Sequence, residues 1–122
     1  MGGTESAQIT VIDSLLDISP IVPGSLGHTT ALKSADVRVV VLAFESGHLL
    51  KEHSSPKALL MQALDGQLRV TAAGRTVDLL PGGLIRLDAL LHHEVEAVGD
   101  SRLMLTRCSP KAPRYCSKTG PR

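Results

Sequence analysis

Between residues 37 and 108 the chain alternates short apolar runs with small polar breaks. The runs are "VRVVVLAF", "ALLMQAL", "QLRVTA", "RTVDLL", "LIRLDALL", "HEVEAV" and "RLMLTRC", and the breaks are "ESG", "SSP", "DG", "AAG", "PGG" and "VGDS". Runs of this length, rich in Val and Leu and bounded by turn residues, predict an all-β sandwich or barrel. Leu and Ala are good helix formers, so propensity alone leaves helix open. The turns argue otherwise: Asp65-Gly66 and Ala73-Gly74 each stand between two apolar runs as tight hairpins require, and hairpins join antiparallel strands. Helix is expected only at "AQITVIDSLLDI", residues 7–18.

The flanks read differently. Residues 1–8 are expected to be a tail, 9–108 the folded domain, and 109–122 a basic, proline-rich tail without acidic residues. Such a composition offers little apolar surface to offset the entropy of ordering it, so truncation after Cys108 should leave folding intact. The two cysteines, Cys108 and Cys116, make neither a disulfide framework nor a zinc knuckle and are read as incidental thiols.

Strand alternation sharpens the reading of "LLHHEVEAV". Leu91, His93, Val95 and Ala97 share one face, and His92, Glu94 and Glu96 share the other. His93 therefore lies among apolar neighbours, where at least one ring nitrogen needs a partner: a backbone carbonyl, a water, a ligand or a metal.

Composition removes several functions. With 13 basic and 12 acidic residues the formal charge is +1, which gives no electrostatic ground for nucleic acid or an anionic membrane. There is no Trp, and only one Tyr and one Phe, which argues against a site built on base stacking and disfavours sugar stacking. No apolar run approaches the roughly 20 residues of a membrane span, and a cytoplasmic protein is expected. Ser54 and Ser55 adjoin His53 in sequence, but no oriented acid completes a nucleophilic triad.

Two stretches resemble the motifs of the small single-domain cupins. The first cupin motif runs Gly, five residues, His-x-His, three or four residues, Glu, six residues, Gly; Gly47, His53, Ser55, Leu59 and Gly66 fall on it at that spacing. The second closes with Pro-x-Gly, two residues, His, three residues, Asn; Asp88, Leu90, His93 and Ala97 occupy those places. The resemblance covers about residues 37–107 and implies a single-domain antiparallel jelly-roll β-barrel. It implies a metal site worn down to His53 and His93, because Ser55 and Leu59 replace a His and the Glu. His28 or His48 is the candidate third ligand, and a divalent ion (Zn, Ni, Fe or Mn) is expected to bind weakly or not at all.

Three functions follow as expectations. The first is a barrel that binds a small organic molecule in a leucine-lined cavity, oriented by His53 and His93, with Ser55, Leu59 and Met61 in the lining. The second is a metal-dependent oxygenase, isomerase or decarboxylase using His53, His93 and a third group. The third is a structural or regulatory dimerising barrel. A homodimer is expected in each case, since pairing hides exposed strand edges.

Overall fold

The structure is a computed structural model that describes residues 8–108. Among these residues are nine strands: β1 (Gly27–Lys33), β2 (Val37–Phe44), β3 (Leu49–His53), β4 (Leu59–Asp65), β5 (Leu68–Ala72), β6 (Arg75–Leu79), β7 (Leu84–Leu87), β8 (His93–Ala97) and β9 (Ser101–Cys108). They form a five-stranded sheet in the order β1-β2-β9-β4-β7 and a four-stranded sheet in the order β3-β8-β5-β6. Every pairing is antiparallel, so the expected all-β class with two packed antiparallel sheets holds.

The core lies where inward positions of the two sheets meet. Val40, Leu42 and Phe44 of β2, Leu59, Met61 and Ala63 of β4 and Leu103 of β9 face Leu68, Val70, Val95 and Ala97 of the smaller sheet. Alternation alone explains these positions, because every second residue of a strand points to one side. It does not explain β2, in which Val41 and Ala43 are also fully buried. Their cover is the segment that precedes β1. Ser19, itself buried, donates from its hydroxyl to the Val41 carbonyl at 3.4 Å, and the Ser19 carbonyl accepts from Arg102 Nε at 2.8 Å. Arg102 in turn pairs with Asp65 at 2.7 Å, which ties the segment to both β9 and β4. At the same place Gly27 leaves room for Ala43 and the Pro20 carbonyl, 3.0 and 3.2 Å from where a Cβ would stand. An uninterrupted apolar run thus corresponds to a strand covered on both faces.

The segment is not helical. Residues 8–18 hold one turn, closed by Asp17 N–H donating to the Ser14 carbonyl at 3.3 Å, and no helix. β-Branched Ile9, Thr10, Val11 and Ile12 are poor helix formers, and there is no core face to overrule that preference: Ile9 is 87% exposed and Val11 65%. Cys108 also departs from expectation. It closes the β2–β9 ladder opposite Val37 and is disulfide-bonded, not a thiol. Cys116 and the basic tail lie outside the described residues.

The Asp65-Gly66 hairpin turn sits where β4, β5 and β9 converge. Gly66 has φ of 75°, and a Cβ there would lie 2.7 Å from Ser101 Cα and collide with Ser101 Oγ and the Asp100 carbonyl. Ser101 cannot retreat: it is fully buried, and its hydroxyl accepts from Gln67 N–H at 2.9 Å while facing the Gly99 and Gln67 carbonyls. Gly74, with φ of 73°, has nothing within 4 Å. Gly74→Ala should therefore carry only the left-handed strain of about 1 kcal/mol, a loss of roughly 4–8 °C in melting temperature. Gly66→Ala should lose at least about twice that by calorimetry. Equal losses in the two variants would show that the close approach to Ser101 relaxes freely.

Candidate functional site at the barrel mouth

The site begins with an irregularity in β3. Leu49 pairs with Glu96 and Leu50 with Val95, the register then shifts, and His53 pairs with His93. In a regular strand Leu50 and His53 would point to opposite faces, being three residues apart. The bulge absorbs one residue and cancels that difference. Both side chains consequently reach the same cavity.

His53 and His93 lie against one another with ring centroids 4.3 Å apart and planes tilted by 58°. His53 is exposed, whereas His93 is only 2% exposed. Each Nδ1 stands 3.1 Å from a backbone carbonyl two residues earlier, Lys51 for His53 and Leu91 for His93. A carbonyl only accepts, so Nδ1 carries the hydrogen and each neutral ring keeps its lone pair on Nε2. His93 Nε2 is buried without a partner among the described residues. Burial lowers the His93 pKa from its ordinary 6.5; the Leu91 carbonyl opposes this, and the neighbouring His53 and His92 reinforce it. His92 turns outward, 3.8 Å from Glu52, as alternation requires.

Beside the pair is a cavity of ≈ 210 Å³. Its wall is mainly Leu26, Val40, Leu42, Leu50, Leu59 and Leu105, with His28, Arg38, His53, Ser54, Ser55 and Arg107 as polar groups. The structure thus brings His53, Ser55 and Leu59 together, and His93 backs the His53 ring without entering the wall. Met61 is not in the wall: two residues beyond Leu59 on the same face of β4, it is carried inward into the core. His28 reaches the wall from β1. His48 does not, because it sits just past the Gly47 turn at the far end of β3 and meets Phe44 edge-on at 6.2 Å. Arg38 and Arg107 were not anticipated. Their signal was present in parity, since Arg38 lies two residues from inward Val40 and Arg107 two from inward Leu105.

A resident metal of the kind the cupin motifs imply does not fit this donor set. The orphaned Nε2 of His93 beside His53 offers two imidazoles, but at the other motif positions Ser55 has a weakly donating hydroxyl and Leu59 none. Among the described residues no group of three or more His, Cys, Asp or Glu side chains converges, and three protein ligands are the usual minimum for a catalytic ion.

Two antiparallel sheets around a cavity, with one histidine from each motif strand at its mouth, define a cupin-type barrel. Solved structures agree. The chain is similar to a conserved protein of unknown function from Streptococcus pyogenes, with TM-score 0.74 and 22% identity over 87% of this chain and 93% of that one. It is similar to an RmlC-like cupin from Desulfovibrio desulfuricans, with TM-score 0.72 and 19% identity over 81% and 95%. A cupin superfamily protein from Desulfitobacterium hafniense gives TM-score 0.67 and 17% identity over 71% and 80%. At such identities the likeness establishes the fold. No family model matches the chain, and no curated protein is found similar to it.

Leu90 holds a left-handed backbone conformation that glycine adopts more readily. It has φ of 69°, its side chain is 68% exposed, and its N–H donates to the Ser55 carbonyl at 2.7 Å, which holds the loop against the site. Leu90→Gly should relieve the strain and raise the melting temperature, the gain being held to about 0.5–1 kcal/mol by glycine's freer unfolded state. A lower melting temperature would mean that Leu90 packs more than its exposure indicates.

The depressed pKa of His93 sets a pH dependence. The folded protein binds the proton less readily than the unfolded chain, so the stability His93 confers is complete above 6.5 and is lost as pH falls below that value. The melting temperature should fall as the pH drops below about 6.5, and His93→Gln should shrink that fall. An unchanged pH profile in the variant would assign the acid sensitivity to other groups.

Proposed function

We propose that the protein is a cupin barrel that binds a small organic molecule in the cavity beside His53. The observation that carries this reading is the cavity itself: a leucine- and valine-lined space at the mouth of a barrel, with a few convergent polar groups, is the usual make-up of a small-molecule site. His53 supplies a lone-pair nitrogen to the occupant. His93 fixes the His53 ring from behind, and Ser55 adds a hydroxyl. A space of ≈ 210 Å³ suits a small metabolite.

The close pairing of the two imidazoles favours a second reading, in which a divalent ion binds the histidine pair and chemistry follows. With two imidazoles that affinity is low.

Titration of 15N-labelled protein with cyclohexanol tests the first reading. Amide shifts should centre on Leu50, His53, Ser55 and Leu59, and His53→Ala should weaken binding by about tenfold or less, as one neutral hydrogen bond allows. Stoichiometric zinc should leave the melting temperature almost unchanged. Shifts scattered over the surface would overturn the cavity reading, and a zinc-dependent rise of many degrees would replace it with the metal reading.

A further inference from the structure

The cavity wall contains two arginines whose placement is costly without an occupant. Arg38 of β2 and Arg107 of β9 are direct cross-strand partners, and both belong to the inward-facing series of their strands. Directly opposed side chains have Cβ atoms about 4.5–5.5 Å apart, and like charges so placed repel. Natural sheets relieve such a pair with a carboxylate on a neighbouring strand. Here the neighbours are Lys33 on β1, opposite Arg38, and Leu59 on β4, opposite Arg107. Among the described residues no acidic one lines the cavity, and neither arginine enters an ion pair. Arg38 Nε is buried without a hydrogen-bond partner. His28 and His53 are the other ionisable groups that the described residues place in the wall, and both are basic.

We propose that this end of the cavity binds the carboxylate of a small organic acid, with Arg38 and Arg107 as its anion clamp and the leucine-lined part holding its aliphatic body. The inference rests on the cavity being a ligand site and adds the chemical class of the ligand. A guanidinium presents parallel N–H donors in one plane, which matches the two oxygens of a carboxylate. Arg38 Nε gains its missing acceptor, and the repulsion between the two guanidinium groups becomes a shared attraction. The apolar remainder of the wall selects a single charged head on a hydrocarbon body over a compact inorganic anion. His53, at the open side, is placed to accept from a hydroxyl on the same molecule.

The test compares hexanoate, hexanamide and inorganic phosphate by calorimetric and NMR titration of the full chain. Hexanoate should bind at least about tenfold more tightly than hexanamide, since charge-assisted hydrogen bonds are the stronger kind, and its affinity should fall with salt. Arg38→Gln and Arg107→Gln should each weaken hexanoate far more than hexanamide, so that the two affinities converge. Without ligand, either substitution should hold or raise the melting temperature, because a repulsion is removed; a structural arginine would lower it. Arg38→Lys and Arg107→Lys keep the charge but lose the planar fork, so a partial loss of hexanoate affinity is expected. Equal affinity for hexanoate and hexanamide, with shifts at Leu50 and His53, would overturn the acid assignment and leave the cavity reading standing. Phosphate displacing hexanoate at comparable concentration would overturn the choice of a carboxylate. Absence of shifts at the cavity with cyclohexanol, hexanoate and hexanamide alike would overturn both readings.

Discussion

The pairing of β2 with β9 is the constraint on which the molecule depends. Its register is unbroken from Val37 opposite Cys108 to Phe44 opposite Ser101. This ladder sits inside the larger sheet, with β1 on one side and β4 on the other, so both strands have all their neighbours. Each of its layers has a separate role. Leu42 and Leu103 fill the core, Val41 and Ala43 receive the Ser19–Pro20 crossing on the outer face, and Arg38 and Arg107 stand at the cavity end. A slip of one residue in either strand would exchange its faces and turn its arginine to the exterior. The pair that repels is therefore held in place by the apolar pairs further along the same ladder.

In the smaller sheet an irregularity is what matters. β3 carries Leu50 and His53 to one cavity only because its ladder with β8 skips between them. Bulges commonly re-aim side chains near functional sites, and this one has a definite consequence: without it, either the leucine or the histidine leaves the wall. The histidine pair then divides its tasks. His93 is buried, bonded to the Leu91 carbonyl and held towards the neutral form; His53, braced by it, faces the open side.

Much of this was legible in the sequence because its signals are local. The Val- and Leu-rich runs became strands, the Asp65-Gly66 and Ala73-Gly74 steps became turns, and His53 and His93, singled out by spacing, lie ring against ring. Long-range facts were less legible. Parity along "HLLKEH" cannot reveal a bulge, so the spacing motif, not alternation, put His53 inside. The apolar residues of "ITVI" resemble an amphipathic face, yet nothing in the fold is available to cover them. Arg38 and Arg107 stand near the ends of apolar runs, where an arginine ordinarily reaches out to water, and only the register of two strands distant in sequence brings them together.

The same ladder dictates an order of events during synthesis. β2 is among the first strands made and β9 is the last of those described, so the most apolar strand of the chain waits for its central partner until nearly all the others have been produced. Until then Val40, Leu42 and Phe44 have no β9 to pair beside, and β2 has a vacant edge. Closing so long a loop is slow, and an unpaired apolar strand is an aggregation hazard while it lasts. The pairing of β1 with β2, made between neighbours in the chain, occupies the other edge of β2 early and leaves one side open for the late arrival. In a growing chain β1 is thus a temporary guard for the strand about which the finished barrel is built.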